Sequence, residues 1–137
     1  MSKKATIVPR GIRNNNPLNI RIGNTWLGER SNPTDPAFEE FVTMEYGYRA
    51  AFQILRRYIR RYKKNTIAAI ISTWAPVSEN NTQKYINFVS TKTQLAPDAV
   101  IEYADKDTMV AIACAMTFME CGVPADESKV RKGYDMA

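Results

Sequence analysis

The chain has 137 residues, of which 45% are hydrophobic and 24% charged, a balance that is typical of one globular domain and excludes a disordered chain. Nineteen lysines and arginines against fourteen aspartates and glutamates give a net charge of +5, which favours an anionic partner. With no histidine and only two cysteines, the chain cannot be a histidine-ligated zinc hydrolase, a Ser-His-Asp or Cys-His enzyme, or a metal protein with four cysteine ligands. No metal or cofactor is therefore expected. Any catalytic acid should be a carboxyl group.

Residues 1–9 are predicted to form a flexible arm, and residues 10–137 a single domain. The opening MSKKATIVPR is basic but lacks the apolar stretch of a signal peptide. No apolar run approaches the roughly 20 residues that span a bilayer. The sequence therefore predicts neither a signal peptide nor a membrane span, and a role outside a cytoplasm would require another route of delivery.

Three consecutive asparagines precede a proline in RNNNPLNI, Arg13–Ile20. Asparagine favours turns, and proline restricts the residue before it to extended backbone, so this stretch is either an ordinary turn or an amide-rich wall of a binding groove. Leu18, Ile20 and Ile22 alternate with polar residues, as in a half-buried strand. A second extended piece is expected in AFEEFVTM, and together these segments predict a small antiparallel β wing.

From Tyr46 onwards, apolar residues recur at the three- and four-residue spacing of an α-helix. This first helix is expected to end at Asn65. Four further helices are expected. The first runs from a cap at Thr66 to a stop before Pro76, and the second covers Thr82–Thr91. The third runs from a cap at Asp107 to a left-handed stop at Gly122, and the last covers Glu127–Met136. The predicted fold class is mainly α with the small β wing.

The basic residues concentrate between Arg56 and Lys64, where six of nine residues are lysine or arginine. This run is either the solvated face of a helix or a patch that binds an anion. Nucleic acid is the less favoured partner, because the aromatic residues between the arginines match the buried stripe of a helix better than a stacking platform.

Glu120 closes the most hydrophobic helix of the chain, just before Gly122. Apolar surroundings and the negative end of the helix dipole both raise the pKa of a carboxyl group at this place. An acid that stays protonated near neutral pH is what protonation of a glycosidic oxygen requires. The alternative is that Glu120 points into solvent. Glu79 is the second candidate carboxylate, although its polar surroundings, SENNT, equally suit a helix boundary.

Five segments then carry a resemblance to a known family: RGIRNNNPLNIR, TWLGE, FVTMEYGYRAAFQILRRY, TIAAIISTWAPVSENNTQKYINFVS and AMTFMECG. In this order they resemble lysozyme-like structural proteins of phage virions and prophages, which look like peptidoglycan-cleaving muramidases or lytic transglycosylases. The similarity covers about residues 10–137. It implies a lysozyme-like helical domain, peptidoglycan and other virion proteins as partners, and a location in the phage virion or, after release, at the host cell wall.

A second similarity concerns the order of these parts. Several wall-cleaving glucosaminidases and transglycosylases carry the helix that ends in Glu first and an Asn-rich segment with Trp-x-Gly after it, whereas this chain has them in the opposite order. We therefore hypothesise a circularly permuted lysozyme-like arrangement that places Glu120 beside Asn14, Asn15 and Asn16. Relatives tend to read His-Glu-Asn-Gly where this chain has Met119-Glu120-Cys121-Gly122, which keeps the acid but removes a polar neighbour on each side.

The combined expectation is an enzyme that cleaves the β-1,4 bond between amino sugars, with Glu120 as general acid and Glu79 as second carboxylate. Without a second carboxylate in the groove, a transglycosylase would be favoured. The residues expected to bind substrate are Asn14, Asn15, Asn16 and Asn19, with Trp26 and Tyr46 stacking on sugar faces. The alternative is a non-catalytic virion component that keeps the lysozyme-like fold for assembly.

Overall fold

The computed structural model describes residues 7–137. Within this range the chain forms six α-helices: α1 Arg10–Arg13, α2 Met44–Arg60, α3 Ile67–Trp74, α4 Thr82–Thr93, α5 Lys106–Cys121 and α6 Glu127–Met136. The arm predicted over residues 1–9 lies largely outside the described residues. None of these helices is both long enough and apolar enough to cross a bilayer.

Side-chain caps determine where the five longer helices begin. The capping residues are Thr43, Thr66, Asn81, Asp105 and Asp126, and each accepts a hydrogen bond from a backbone N–H of the first helical turn. The predicted cap at Asp107 is wrong by two residues, because Asp105 takes the N–H of Thr108. The predicted left-handed stop at Gly122 is confirmed, with φ 71°.

Helix α5 runs through the core. Its residues Met109, Ile112 and Met116 are fully buried, and α4 and α6 pack against it. α2 lies against α6 and contributes the fully buried Tyr48, Phe52 and Leu55. The long loop between α1 and α2 adds Leu18 and Phe41 to the same core, so this loop is fixed to the helical body by apolar burial.

The predicted β wing does not form within the described residues. The loop between α1 and α2 contains two isolated antiparallel bridges, Arg21 with Phe38 and Glu29 with Phe41, and no longer ladder. Asn19 has a φ of 55°, which interrupts the extended run on which the prediction rested. Leu18 and Ile20 are buried as the alternation predicts, but Ile22 is 52% exposed.

Helix α1 was not predicted. It is a single turn that ends directly before the asparagines, and it packs against α5. Gly11 makes this approach possible, because a Cβ at that position would lie 2.7 Å from Sγ of Cys121 and 2.8 Å from the carbonyl oxygen of Asn16. The N-terminal loop is thereby held against the C-terminal end of α5.

Candidate active site

Asp35 organises the loop between α1 and α2. Its buried carboxylate accepts hydrogen bonds from Nε and Nη2 of Arg10, each at 2.6 Å, and from Nδ2 of Asn14 at 2.9 Å. It also accepts the backbone N–H groups of Ala37 at 2.9 Å and Phe38 at 3.0 Å. The Arg10 guanidinium, helped by these N–H groups, holds the pKa of Asp35 well below its usual range. Asn14 therefore contacts Asp35 inside the loop.

The next two asparagines also hold loop backbone. Asn16 is fully buried; its amide donates to the carbonyl oxygens of Ile20 at 2.9 Å and Glu39 at 3.0 Å and accepts the N–H of Ile20 at 2.9 Å. Asn15 donates to the carbonyl oxygen of Phe41 at 3.1 Å. These side-chain contacts take the place of the strand ladder that the alternation predicted. None of Asn14, Asn15 and Asn16 lines the cavity that Glu120 lines.

Asn19 is the asparagine that reaches the predicted acid. Its Nδ2 donates to Oε1 of Glu120 at 3.0 Å and to the backbone carbonyl oxygen of Glu120 at 3.3 Å. Beside this contact, Sγ of Cys121 donates to the carbonyl oxygen of Pro17 at 3.3 Å. The beginning of the domain and the end of α5 thus lie in direct contact, although 101 positions separate Asn19 from Glu120.

The carboxyl group of Glu120 is partly buried, and burial raises its pKa above the ordinary value. Two neighbours act in the opposite direction, because the Asn19 amide and the nearby Tyr85 hydroxyl favour the ionised form. Burial is the largest of these effects. The Tyr85 hydroxyl is itself buried. Glu120 therefore keeps its proton to a higher pH than an exposed glutamate.

Glu120 lines an open cleft with a volume of about 180 Å³. The other lining residues are Asn19, Arg21, Phe38, Trp74, Ala75, Glu79 and Asn80. Glu79 is exposed and belongs to the loop between α3 and α4, and the fold brings it to the same cleft as Glu120. The two carboxylates that the sequence singled out therefore share one cavity.

A second cavity of about 170 Å³ continues the cleft past Trp74. It shares Asn19, Arg21 and Trp74 with the first cavity, and Ile20, Ile54 and Tyr58 complete its lining. The indole Nε1 of Trp74 donates to the carbonyl oxygen of Leu18 at 3.2 Å, and its ring meets Tyr58 edge to face at 6.2 Å. We refer to these two adjoining cavities, which share Trp74, as the groove.

Trp26 and Tyr46, which were expected to stack on sugars, lie elsewhere. Trp26 lines a separate cavity beside Arg49 and Arg57. The ring of Tyr46 covers Gly28, where a Cβ would lie 2.2 Å from it. The aromatic residues that line the groove are instead Phe38, Tyr58 and Trp74, which the sequence did not single out as sugar-binding residues. A signal was present at Trp74, since it opens the WAPVSEN block that carries part of the resemblance.

Within residues 7–137 no three acidic or thiol side chains come together as a metal site would require. The chemistry that the groove does offer is proton donation by Glu120, with an exposed carboxylate at Glu79 and a cation at Arg21 in the same cleft.

The comparisons with known proteins agree with part of the sequence resemblance. No family model matches the chain. The chain is similar to Protein P5 of Pseudoalteromonas phage PM2, with 42% identity over 131 residues that cover 92% of this chain and 80% of that protein.

Proposed function

We propose that this chain, which belongs to the family of Protein P5 from Pseudoalteromonas phage PM2, is a phage enzyme that cleaves the glycan strands of bacterial peptidoglycan. The bond cut is the β-1,4 linkage between amino sugars. Its place of action is the host cell wall, reached from the virion or on release.

The observation that carries this proposal is the environment of Glu120. A carboxyl group with a raised pKa, oriented by Asn19 and open to a groove, suits the transfer of a proton to a glycosidic oxygen. Trp74 and Tyr58 offer apolar ring faces and edges in the same groove, and sugar rings pack on such surfaces. The contact between the first loop and the end of α5 also supports the hypothesis of a permuted lysozyme-like domain.

Glu79 supports hydrolysis over transglycosylation. A second carboxylate in the cleft can position a water or stabilise the positive charge that develops on the sugar ring. With Glu120 alone, the substrate's own 6-hydroxyl would have to act as the nucleophile. We therefore propose a lysozyme-type reaction in which Glu120 is the general acid and Glu79 the second carboxylate.

The test is digestion of purified peptidoglycan followed by separation of the products. The wild-type protein should release fragments with a free reducing end, whereas a transglycosylase would release anhydro-sugars. Glu120→Gln should lower the rate by about 100-fold or more, because an amide cannot donate the proton that general acid catalysis requires. Glu79→Gln should also slow the reaction.

Glu102→Gln is the matched control, since Glu102 is exposed and lies outside the groove. It should cleave at the wild-type rate, and thermal unfolding should show that all variants are folded. A folded wild-type protein that releases nothing, or a Glu120→Gln protein that remains fully active, would contradict the proposal. Either result would favour a non-catalytic virion component.

A further inference from the structure

Arg21 lies where the two halves of the groove join. It lines both cavities, together with Asn19 and Trp74. Among the described residues that line the groove, Arg21 is the one cation. A ligand that occupies both cavities would therefore lie beside Arg21.

The backbone at Arg21 is fixed on both sides. The N–H of Ile22 donates to the carbonyl oxygen of Ala37 at 3.0 Å, and the N–H of Glu39 donates to the carbonyl oxygen of Ile20 at 3.0 Å. Between these two hydrogen bonds, Arg21 forms its antiparallel bridge with Phe38. The arginine therefore projects from a rigid part of the loop.

The side chain of Arg21 is also oriented. Its guanidinium carbon lies 5.0 Å from the centre of the Phe38 ring. The same ring contacts Arg10 at 4.5 Å, and Arg10 is held in turn by its two hydrogen bonds to Asp35. An arginine that is already held in this way loses less conformational entropy when it binds a ligand.

The charge of Arg21 is not neutralised within the described part of the protein. Arg10, Arg13 and Arg30 of the same region each pair with an acidic residue, whereas no acidic side chain lies within salt-bridge distance of Arg21. The pKa of Glu120, in the same cleft, is governed by burial, Asn19 and Tyr85. The donors of Arg21 are consequently free for an anion supplied by the ligand.

Polymers of amino sugars fall into two classes that this site can distinguish. Chitin-like chains are neutral, whereas peptidoglycan carries a lactyl ether on every second sugar, ending in a carboxyl group or extended by a peptide with further carboxylates. A guanidinium group binds a carboxylate through two parallel hydrogen bonds. We propose that Arg21 is a specificity-determining residue that binds a carboxylate borne by the glycan, so that the groove selects acidic strands over neutral ones. This inference rests on the proposed function and names the substrate class of the same groove.

The test measures binding to the full-length Glu120→Gln protein, which prevents turnover. Three ligands of equal sugar number are compared by calorimetry: a chitin oligosaccharide, a peptide-free peptidoglycan oligosaccharide and the same oligosaccharide with its peptides. The acidic ligands should bind about tenfold more tightly than the chitin oligosaccharide, as a charge-assisted bidentate contact at a solvent-exposed site predicts. A higher affinity for the peptide-free ligand assigns the contact to the lactyl carboxyl group, which is converted to an amide when the peptide is attached. An additional gain with the peptides assigns it to the peptide carboxylates.

Adding Arg21→Gln to this protein should remove the preference for acidic ligands and leave the affinity for the chitin oligosaccharide unchanged. Arg21→Lys should keep part of the preference, because it keeps the charge but not the paired donors. Lys132→Gln is the control for loss of one positive charge, since Lys132 is exposed on α6 and lies outside the groove.

Two outcomes would overturn the inference, and they differ in what else they affect. If all three ligands bind equally well with and without Arg21, the inference fails while a sugar-binding groove remains. If none of the ligands binds the folded protein, both the inference and the proposed function fail.

Discussion

Glu120 and Glu39 are both carboxyl groups whose pKa lies above the ordinary range, with burial as the first cause in each case. They differ in the second cause. Glu120 faces an amide and a hydroxyl that stabilise its charge, whereas Glu39 shares its surroundings with a second carboxyl group, that of Glu29, which raises the pKa of Glu39 further to about 7. At the scale of single residues, burial therefore raises the pKa of one carboxyl group in the groove and of another in the loop beside it.

For Glu120 we predict a dependence of stability on pH. The pKa of Glu120 is higher in the folded than in the unfolded protein. Its contribution to the free energy of unfolding is therefore fully present below a pH of about 4.5, the ordinary pKa of glutamate, and is lost as the pH rises through the folded pKa. The melting temperature of the wild type relative to Glu120→Gln should therefore fall between acidic and mildly basic pH. Thermal unfolding of both proteins across this range measures the difference. Parallel curves for the two proteins would contradict the prediction.

The rate of glycan cleavage should follow the same group. A general acid must be protonated, so the rate should decline as the pH rises through the pKa of Glu120. A rate that increased continuously from acidic to basic pH would show that Glu120 does not donate the proton.

Glu39 provides a second prediction at the residue scale, checked by carbon-13 NMR of the glutamate carboxyl groups. One such group should titrate at a pH of about 7 in the wild type. In a Glu29→Gln protein the pKa of Glu39 should decrease, because the repulsion by the Glu29 carboxylate and the hydrogen bond that protonated Glu39 donates to it are lost. It should stay above the ordinary value because the burial of Glu39 remains. If no glutamate other than Glu120 titrates above the ordinary range, the Glu29–Glu39 pair does not exist in solution.

At the scale of elements, the position of the groove depends on how closely α1 and its following loop approach the end of α5. Gly11 is packed against Cys121, and the amide oxygen of Asn19 lies 2.8 Å from the place a Cβ at Gly11 would occupy. The loop that carries Asn19 and Arg21 is thus close-packed against the helix that carries Glu120, with no room for an added side-chain atom at Gly11.

Gly11→Ala should therefore destabilise the protein by about 1–3 kcal/mol, the usual cost of overpacking, even though alanine favours a helix. It should also reduce cleavage, because separating α1 from α5 moves Asn19 away from Glu120. Chemical denaturation and the peptidoglycan assay measure the two effects.

Gly23→Ala is the matched control for Gly11→Ala. Gly23 belongs to the same loop, and no atom lies within 4 Å of the position its Cβ would take. This substitution should leave both stability and cleavage close to those of the wild type. If the two alanine variants behave alike, the close approach of α1 to α5 is not required.

At the scale of the whole molecule, the excess of positive charge is concentrated on the outer side of α2. Arg56, Arg57, Arg60 and Arg61 line one shallow surface depression together with Gln53. Within residues 7–137 none of these arginines pairs with an acidic side chain. Because peptidoglycan is anionic, this face should attract the protein to the cell wall independently of the groove.

The double variant Arg57→Gln/Arg61→Gln should consequently bind purified cell walls more weakly than the parent at ~0.05 M salt, with the difference removed at ~0.5 M, where exposed charges are screened. Sedimentation of the walls with bound Glu120→Gln protein measures this without turnover. Lys129→Gln/Lys132→Gln on α6 removes the same net charge and should bind like the parent. Equal losses in the two double variants would show that only net charge matters.

The sequence by itself determined the five longer helices and the chemistry of individual residues. The apolar spacing in α2 and the caps at Thr66 and Gly122 act over a few positions, so these features could be read without the fold. The direction of the pKa shift of Glu120 was also predicted, and burial is its largest cause in the structure. The structure of the segment from Asn15 to Phe41 was not predictable in this way. Its backbone is held by asparagine side chains and by Asp35, and not by a strand ladder.

Only the tertiary structure decided which residues share the groove. Asn19, Glu120 and the pair Trp74 and Glu79 come from three distant segments, and a spacing in sequence carries no information about contacts formed by packing. For the same reason the sequence did not reveal that Trp26 and Tyr46 lie apart from Glu120. Trp74 and Arg21 line the groove with Glu120 instead. The sequence thus shows which residue types are present, but their arrangement depends on the burial of Leu18 and Phe41. This burial fixes the loop between α1 and α2 against the helical core.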